Sequence, residues 1–204
     1  MALSDRLGAP VVLGTLSQDP MGRIRNSVVS VFGGSVDRID KNKRVPWAES
    51  GFAAGESVRP ISAGPHILSA VVCFEAAFGG LTRALVEAGG GPILNLTSDA
   101  WFPPTGVGSW GRLQQFAHLP LRAVENRTPV LRVANRGPSA WIDPYGRVRW
   151  TSQEAGVDVV TVRAGPGRSL FGRTGDLLGP VALLVSLFAL LRRTVEPESP
   201  QTLY

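Results

Sequence analysis

Ile67-Leu68-Ser69-Ala70-Val71-Val72 is apolar at every position but one. A strand with one wet face alternates apolar and polar residues with a period of two. This run does not alternate, so both of its faces have to be covered, as happens in parallel sheets flanked by other layers. The segments downstream fit that demand. Leu81–Ala88 reads as a helix stopped by Gly89-Gly90-Gly91, and Pro92–Thr97 is a second short apolar strand. Arg112–Asn126 carries Leu113, Phe116, Leu119 and Val124 at helical spacing, and Pro129–Ala134 follows as a third strand. The order strand–helix–strand–helix–strand predicts an α/β (α+β) sandwich with a mixed sheet.

On the N-terminal side, Pro10–Leu16 and Ile24–Phe32 are Val-rich strand candidates, Gly33-Gly34 is a turn, and Ser35–Lys43 alternates. Arg44–Ser62 has no period and reads as a loop, as does Ser98–Gly111 with Trp101, Phe102 and Trp110. Ser139–Ile142, Gly146–Thr151 and Val157–Val162 are further strand candidates, the first two joined by the turn Asp143-Pro144-Tyr145-Gly146. With 204 residues and 44% apolar types, the chain supports one compact domain. Its net charge of +5 comes from basic residues that are scattered, which speaks against a nucleic-acid binder. The single cysteine excludes an internal disulfide and a Cys-based zinc site, and no metal or cofactor motif is present.

Met1–Pro10 has no apolar run of signal-peptide length. Leu177–Leu191 is uncharged between Asp176 and Arg192-Arg193. It covers about 22 Å at 1.5 Å per residue, short of the ~30 Å hydrocarbon core, whereas a start at Thr174 reaches membrane length. Residues 174–191 are therefore expected to form a transmembrane helix between a domain at 1–170 and a polar tail at 192–204. A buried or docking helix is the alternative.

Cys73 ends the most apolar strand, just before Gly79-Gly80 and a helix. A nucleophile suits such a strand-to-helix turn, where backbone N–H groups stabilise an oxyanion; a lone cysteine in a Val-rich strand is also compatible with plain core packing. Glu75 stands two residues on, on the same side if the chain stays extended. Lys41 and Lys43 are the only lysines among 21 basic residues, and an amine, unlike a guanidinium, changes protonation readily. His66 and His118 read as structural, so a Cys–Lys–Glu set is the alternative to Cys–His.

Six segments in order carry a resemblance. Asp40-Lys41 with Val45-Pro46-Trp47-Ala48-Glu49 is similar to Y-D-K-x-x-L-V-P-F-G-E, and Val72-Cys73-Phe74-Glu75 to a C-Y-E nucleophile segment. Asn95-Leu96-Thr97-Ser98-Asp99-Ala100-Trp101-Phe102 is similar to N-x-T-N-D-A-W-F. Arg122-Ala123-Val124-Glu125 with Arg132-Val133-Ala134-Asn135-Arg136-Gly137 is similar to R-A-I-E … R-A-A-N-T-G, and Ile142–Arg147 to I-D-P-x-G-R. Gly175-Asp176 before the apolar tail is the sixth. Together they resemble the apolipoprotein N-acyltransferase branch of the nitrilase superfamily over about residues 40–191.

The resemblance implies a nitrilase-type four-layer α-β-β-α sandwich, N-terminally truncated, with a C-terminal apolar helix. It implies Cys73 as nucleophile, Lys41 as the lysine of a Glu–Lys–Cys triad, and Glu49 and Glu75 as acidic active-site residues. Phe74, Asp99 and Trp101 are implied at the substrate. The chemistry implied is transfer of an acyl chain from a phospholipid, through a cysteine thioester, to the N-terminal amine of a lipoprotein, without a cofactor, on the extracytoplasmic side of the cell membrane. Phe74 for Tyr, Ser98 for Asn, Trp47-Ala48 for Phe-Gly and Gln115 for His depart from the pattern. So does the lack of a Trp-Pro-Glu context: the first glutamate is Glu49, preceded only by Asp5, Asp19, Asp37 and Asp40. The chain is thus expected to be a truncated, split or degenerate C-terminal part, with a second chain as a candidate source of the N-terminal half. A soluble nitrilase-type amidase and an inactive membrane-associated paralogue are the competing readings.

Overall fold

The computed structural model describes residues 2–103, 106 and 109–195. A short helix α1 (Ala2–Leu7) precedes three antiparallel strands, β1 (Val11–Gln18), β2 (Ile24–Phe32) and β3 (Ser35–Asp40), in the order β1-β2-β3. Gly33 and Gly34, at φ 53° and 78°, form the turn between β2 and β3, which needs left-handed backbone at both positions. The second sheet has six strands side by side in chain order: β4 (Ile61–Ala63), β5 (His66–Val72), β6 (Ile93–Ser98), β7 (Val130–Asn135), β8 (Ser139–Ile142) and β9 (Val148–Ser152). β5, β6 and β7 are parallel, with crossover helices α2 (Gly79–Glu87) and α3 (Trp110–Asn126); β4, β8 and β9 add antiparallel margins.

From Ser69 to Val72 β5 is covered on both faces, as its sequence requires, whereas Ile67 near its start is 52% exposed. Val71 packs with Ile93 and Val130 against Leu81 and Leu85 of α2 and Leu119 and Ala123 of α3. Ala70, Val72 and Cys73 pack on the other face with Leu94, Leu96 and Val28 of the three-stranded sheet. Each buried Val, Leu or Ile contributes roughly 1.5–3 kcal/mol of transfer free energy, so two clusters on opposite faces of one strand fix its register. Helices, large sheet and small sheet make three layers (α-β-β) of the expected four-layer α-β-β-α sandwich, and α1 lies against β2.

Three sequence expectations need correction or adjustment. Val157–Val162 is not a strand: Val157 and Val159 are each 95% exposed, and no neighbour supplies a ladder for their alternation. The loop expected over Arg44–Ser62 ends in β4, a three-residue strand held by pairing with the start of β5. The tail is divided: α4 (Leu170–Thr174) stops at Gly175, φ 63°, and α5 (Leu178–Val195) begins beyond it. Its uncharged part from Leu178 to Leu191 spans about 21 Å. Among the described residues no helix is long and apolar enough to cross a membrane, although the α5 side chains from Val181 to Leu191 that are large and apolar are exposed. Of the polar tail, residues 196–204 lie outside the described residues.

Candidate active site

β3 hands the chain directly to Lys41, whose N–H donates to the Asn26 carbonyl at 2.8 Å and whose carbonyl accepts from Gly55 at 2.7 Å. The backbone on both sides of the lysine is thereby fixed. Its ammonium donates to both Glu49 oxygens at 2.7 Å, and Glu49 also accepts the Val45 N–H at 2.6 Å. Both side chains are buried. Two charges withdrawn from water persist only as a close, hydrogen-bonded pair, and this pair meets that condition.

Cys73 sits where β5 ends and a 3-10 turn (Cys73–Ala77) begins, with φ 53°. A non-glycine residue at positive φ is uncommon and costs on the order of 1–3 kcal/mol, so the surroundings must hold it there. They do so through a buried polar chain. Asn95 donates to the Cys73 carbonyl at 3.2 Å, and Arg132 donates to Asn95 Oδ1 at 3.2 Å. Arg132 in turn donates to the two Asp99 oxygens at 2.9 and 2.7 Å and to the Pro138 carbonyl at 2.9 Å. Asn95 and Arg132 are direct partners in the β6–β7 register.

Glu75 does not extend alongside the sulfur. The 3-10 turn brings it back under β5, where its carboxylate accepts the Val72 N–H at 2.8 Å and the N–H groups of Asn42 and Lys43 at 2.6 and 2.9 Å. It therefore ties the residues just after Lys41 to the strand end that carries Cys73. Burial pushes the Glu75 carboxyl above its ordinary value, opposed by those three N–H donors and by the Lys41 charge.

A cavity of about 630 Å³ opens beside Cys73, walled by Glu49, Phe52, Leu96, Val133 and Trp101 among others. Trp101 is half-exposed there, its indole N–H donating to the Ser98 carbonyl at 3.0 Å. Thr97 also lines the cavity, and its buried hydroxyl has no hydrogen-bond partner among the described residues. Of the expected substrate residues, Trp101 is brought to the cavity; Asp99 and Phe74 are not among its walls. Asp99 is committed to Arg132, and the Phe74 ring packs edge-on against Phe78 at 5.2 Å. Neither His66 nor His118 lines the cavity.

Sequence reasoning missed the roles of Asn95, Arg132 and Gln115. The available signal was polarity out of place: Asn95 interrupts Ile93-Leu94-Asn95-Leu96, and Arg132 interrupts Val130-Leu131-Arg132-Val133. Among the described residues no group of three His, Cys, Asp or Glu side chains is arranged to hold a metal.

Residues 6–164 match the carbon-nitrogen hydrolase family. Among curated relatives, the apolipoprotein N-acyltransferase of Geobacter metallireducens is 31% identical over 193 residues, covering 82% of this chain and 36% of that protein. The apolipoprotein N-acyltransferase of Bradyrhizobium diazoefficiens is 38% identical over 158 residues, covering 74% of this chain and 28% of that protein. The chain thus spans about a third of the length of such relatives. Among solved structures, a carbon-nitrogen hydrolase from Helicobacter pylori superposes with a TM-score of 0.68 at 13% identity, covering 74% of this chain and 61% of that one. A Nesterenkonia amidase of the nitrilase superfamily gives 0.59 at 20% identity, over 80% and 62%. These likenesses establish a nitrilase-superfamily fold.

Proposed function

The chain belongs to the carbon-nitrogen hydrolase family, and we propose that within it this protein carries out the acyl transfer of its named relatives. In this reading a phospholipid donates an acyl chain to Cys73, and the N-terminal amine of a lipoprotein receives it. The observation that carries the reading is the cysteine at the wall of a largely apolar cavity that Glu49, the ion-pair partner of Lys41, also lines.

The sulfur attacks the ester carbonyl, a C–S bond forms, and the oxygen develops charge that the Phe74 N–H and the Lys41 ammonium stabilise. The C–O bond then breaks, and the lysophospholipid alkoxide takes a proton as it leaves. In the second half the acceptor amine attacks the thioester, the C–S bond breaks and the amide forms. The thiol proton needs a base at the start, and the alkoxide needs an acid; such help contributes about 10²–10⁴-fold. We assign this task to a glutamate outside the 204 residues, carried by a preceding segment or by a second chain. The apolar, exposed α5 and the exposed aromatic Trp101 support placement at the cell membrane.

The test is trapping of a labelled acyl-enzyme from phospholipid in detergent. Three proteins are compared: the chain, the Cys73→Ala variant of the supplemented protein, and the chain supplied with the upstream segment of a relative. Labelling that appears or rises strongly only in the third, and vanishes with Cys73→Ala, is expected. Strong labelling of the 204 residues alone refutes the need for the outside glutamate, and labelling that survives Cys73→Ala refutes the nucleophile.

A further inference from the structure

Gln115, on α3, is buried with its side-chain amide 2.8 Å from the Cys73 sulfur. The amide has two orientations that exchange nitrogen and oxygen. In one, the NH₂ donates to the sulfur at 2.8 Å but also faces the Phe74 N–H, donor against donor, and the carbonyl oxygen faces the Asp99 carboxylate, acceptor against acceptor. In the other, the NH₂ donates to Asp99 Oδ1 at 3.1 Å and the carbonyl accepts the Phe74 N–H at 3.2 Å. Hydrogen bonding selects the second. Asp99 cannot turn to accommodate the first, because Arg132 holds both of its oxygens.

The Phe74 N–H belongs to the residue after the nucleophile. That amide is the one a tetrahedral intermediate on Cys73 has within reach for its oxyanion. In the selected orientation it is already taken. We propose that Gln115 is a resting-state cap on the oxyanion site: Asp99 and Arg132 orient its amide, its carbonyl oxygen stands where the acyl oxygen must come, and acylation displaces it. The inference rests on the reading of Cys73 as a nucleophile, and extends it to a residue that governs access to the transition state.

The consequence is selective. A reaction at Cys73 that builds an oxyanion has to break the Gln115–Phe74 bond, whereas simple alkylation of the sulfur does not. The probes are p-nitrophenyl acetate and iodoacetamide. With the first, the sulfur takes the acetyl group through a tetrahedral oxyanion, p-nitrophenolate leaves, and the thiol proton goes to buffer. With the second, the sulfur displaces iodide directly. Both are run on the full chain in detergent, with Gln115→Ala and with Gln115→Met, which keeps the length of the side chain but offers no strong acceptor. Thermal melts accompany each, so that Gln115→Met carries the test if Gln115→Ala fails to fold.

The expected result is that the ratio of ester to alkylation rate rises about two- to tenfold, the worth of one net hydrogen bond. A ratio that is unchanged or falls overturns the proposal. So does a parallel loss of both rates, which would mean that Gln115 assists the sulfur itself, and so does failure of both variants to react with the ester. Neither probe involves phospholipid. A chain that passes here, while the protein supplied with the upstream segment fails phospholipid labelling, therefore refutes the acyl-donor reading and leaves the cap standing.

Discussion

Asp99→Ala should be among the most damaging single substitutions in the molecule. The Arg132 and Asp99 side chains are both 0% exposed, and the guanidinium has only Asp99 to neutralise it across two bonds. Removing the carboxylate leaves the Asn95 and Pro138 bonds but strands a buried positive charge. Such a loss costs about 3–5 kcal/mol, a large share of the ~5–15 kcal/mol that holds a domain together. Relaxation offers little relief. A Cβ on Gly137 would clash with Asp99 Oδ2, so the chain already closes over the pair and leaves little room for water to enter. For a domain of this size the cost corresponds to a fall in Tm of about 6–20 °C. Urea unfolding followed by circular dichroism measures it, with Asp99→Ala/Arg132→Met as the second arm. Removing both partners takes away the charge that Asp99→Ala strands, so the double variant should be more stable than Asp99→Ala alone. A loss below about 1 kcal/mol for Asp99→Ala, or a double variant as unstable as the sum of the single ones, would refute the reasoning.

Two further outcomes follow from the same geometry. Lys41→Met strands the buried Glu49 carboxylate, so it should both lower Tm and cut p-nitrophenyl acetate acylation of Cys73 by about 10²-fold; acylation at the wild-type rate would remove Lys41 from the site. In an acid titration of Tm, Asp37 is held down to about 2, chiefly by the Arg59 guanidinium, and Asp19 is also held low: burial alone would raise it, but the Arg23 N–H and the Arg25 and Arg23 guanidinium groups prevail. Both contributions are present above the ordinary value of 3.8 and are lost as pH falls below it. The raised Glu75 has the opposite sign, its contribution being present below 4.5 and lost as pH rises through its folded value. Tm should therefore hold or rise slightly as the pH is lowered to about 4.5 and drop below about 4, and Asp37→Asn should flatten that drop; an unchanged acid limb in Asp37→Asn would contradict the assignment.

What the sequence reveals of this fold is what local pattern decides. Apolarity over Ile67–Val72, broken only at Ser69, predicts a strand covered on both sides, and the helix over Arg112–Asn126 follows from spacing that the structure extends to Trp110, even with Pro120 inside it. Val157–Val162 has strand composition but no strand, because a ladder needs a neighbour and alternation in one segment says nothing of its partner. β4 fails in the reverse sense: three residues are too few for a period, and pairing with β5 alone makes them a strand.

The site divides along the same line. Cys73, Lys41 and Glu49 are candidates from sequence because short motifs carry them, but the position of Glu75 depends on the backbone turning immediately after Cys73. In an extended chain Glu75 would share the side of Cys73; in a 3-10 turn it comes back onto the Val72 N–H. The acids around the nucleophile are therefore all engaged. Glu49 holds Lys41 and the Val45 N–H, Glu75 holds three backbone N–H groups, and Asp99 holds Arg132. A carboxylate committed to several donors cannot reach away from them to a thiol without orphaning buried N–H groups or a buried cation. Burial raises the Glu75 carboxyl, yet protonating Glu75 would loosen the tie between β5 and the Lys41 segment. That engagement is the physical reason to look for the general base outside these residues, and to read the carboxylates within them as the frame that holds lysine and cysteine in register.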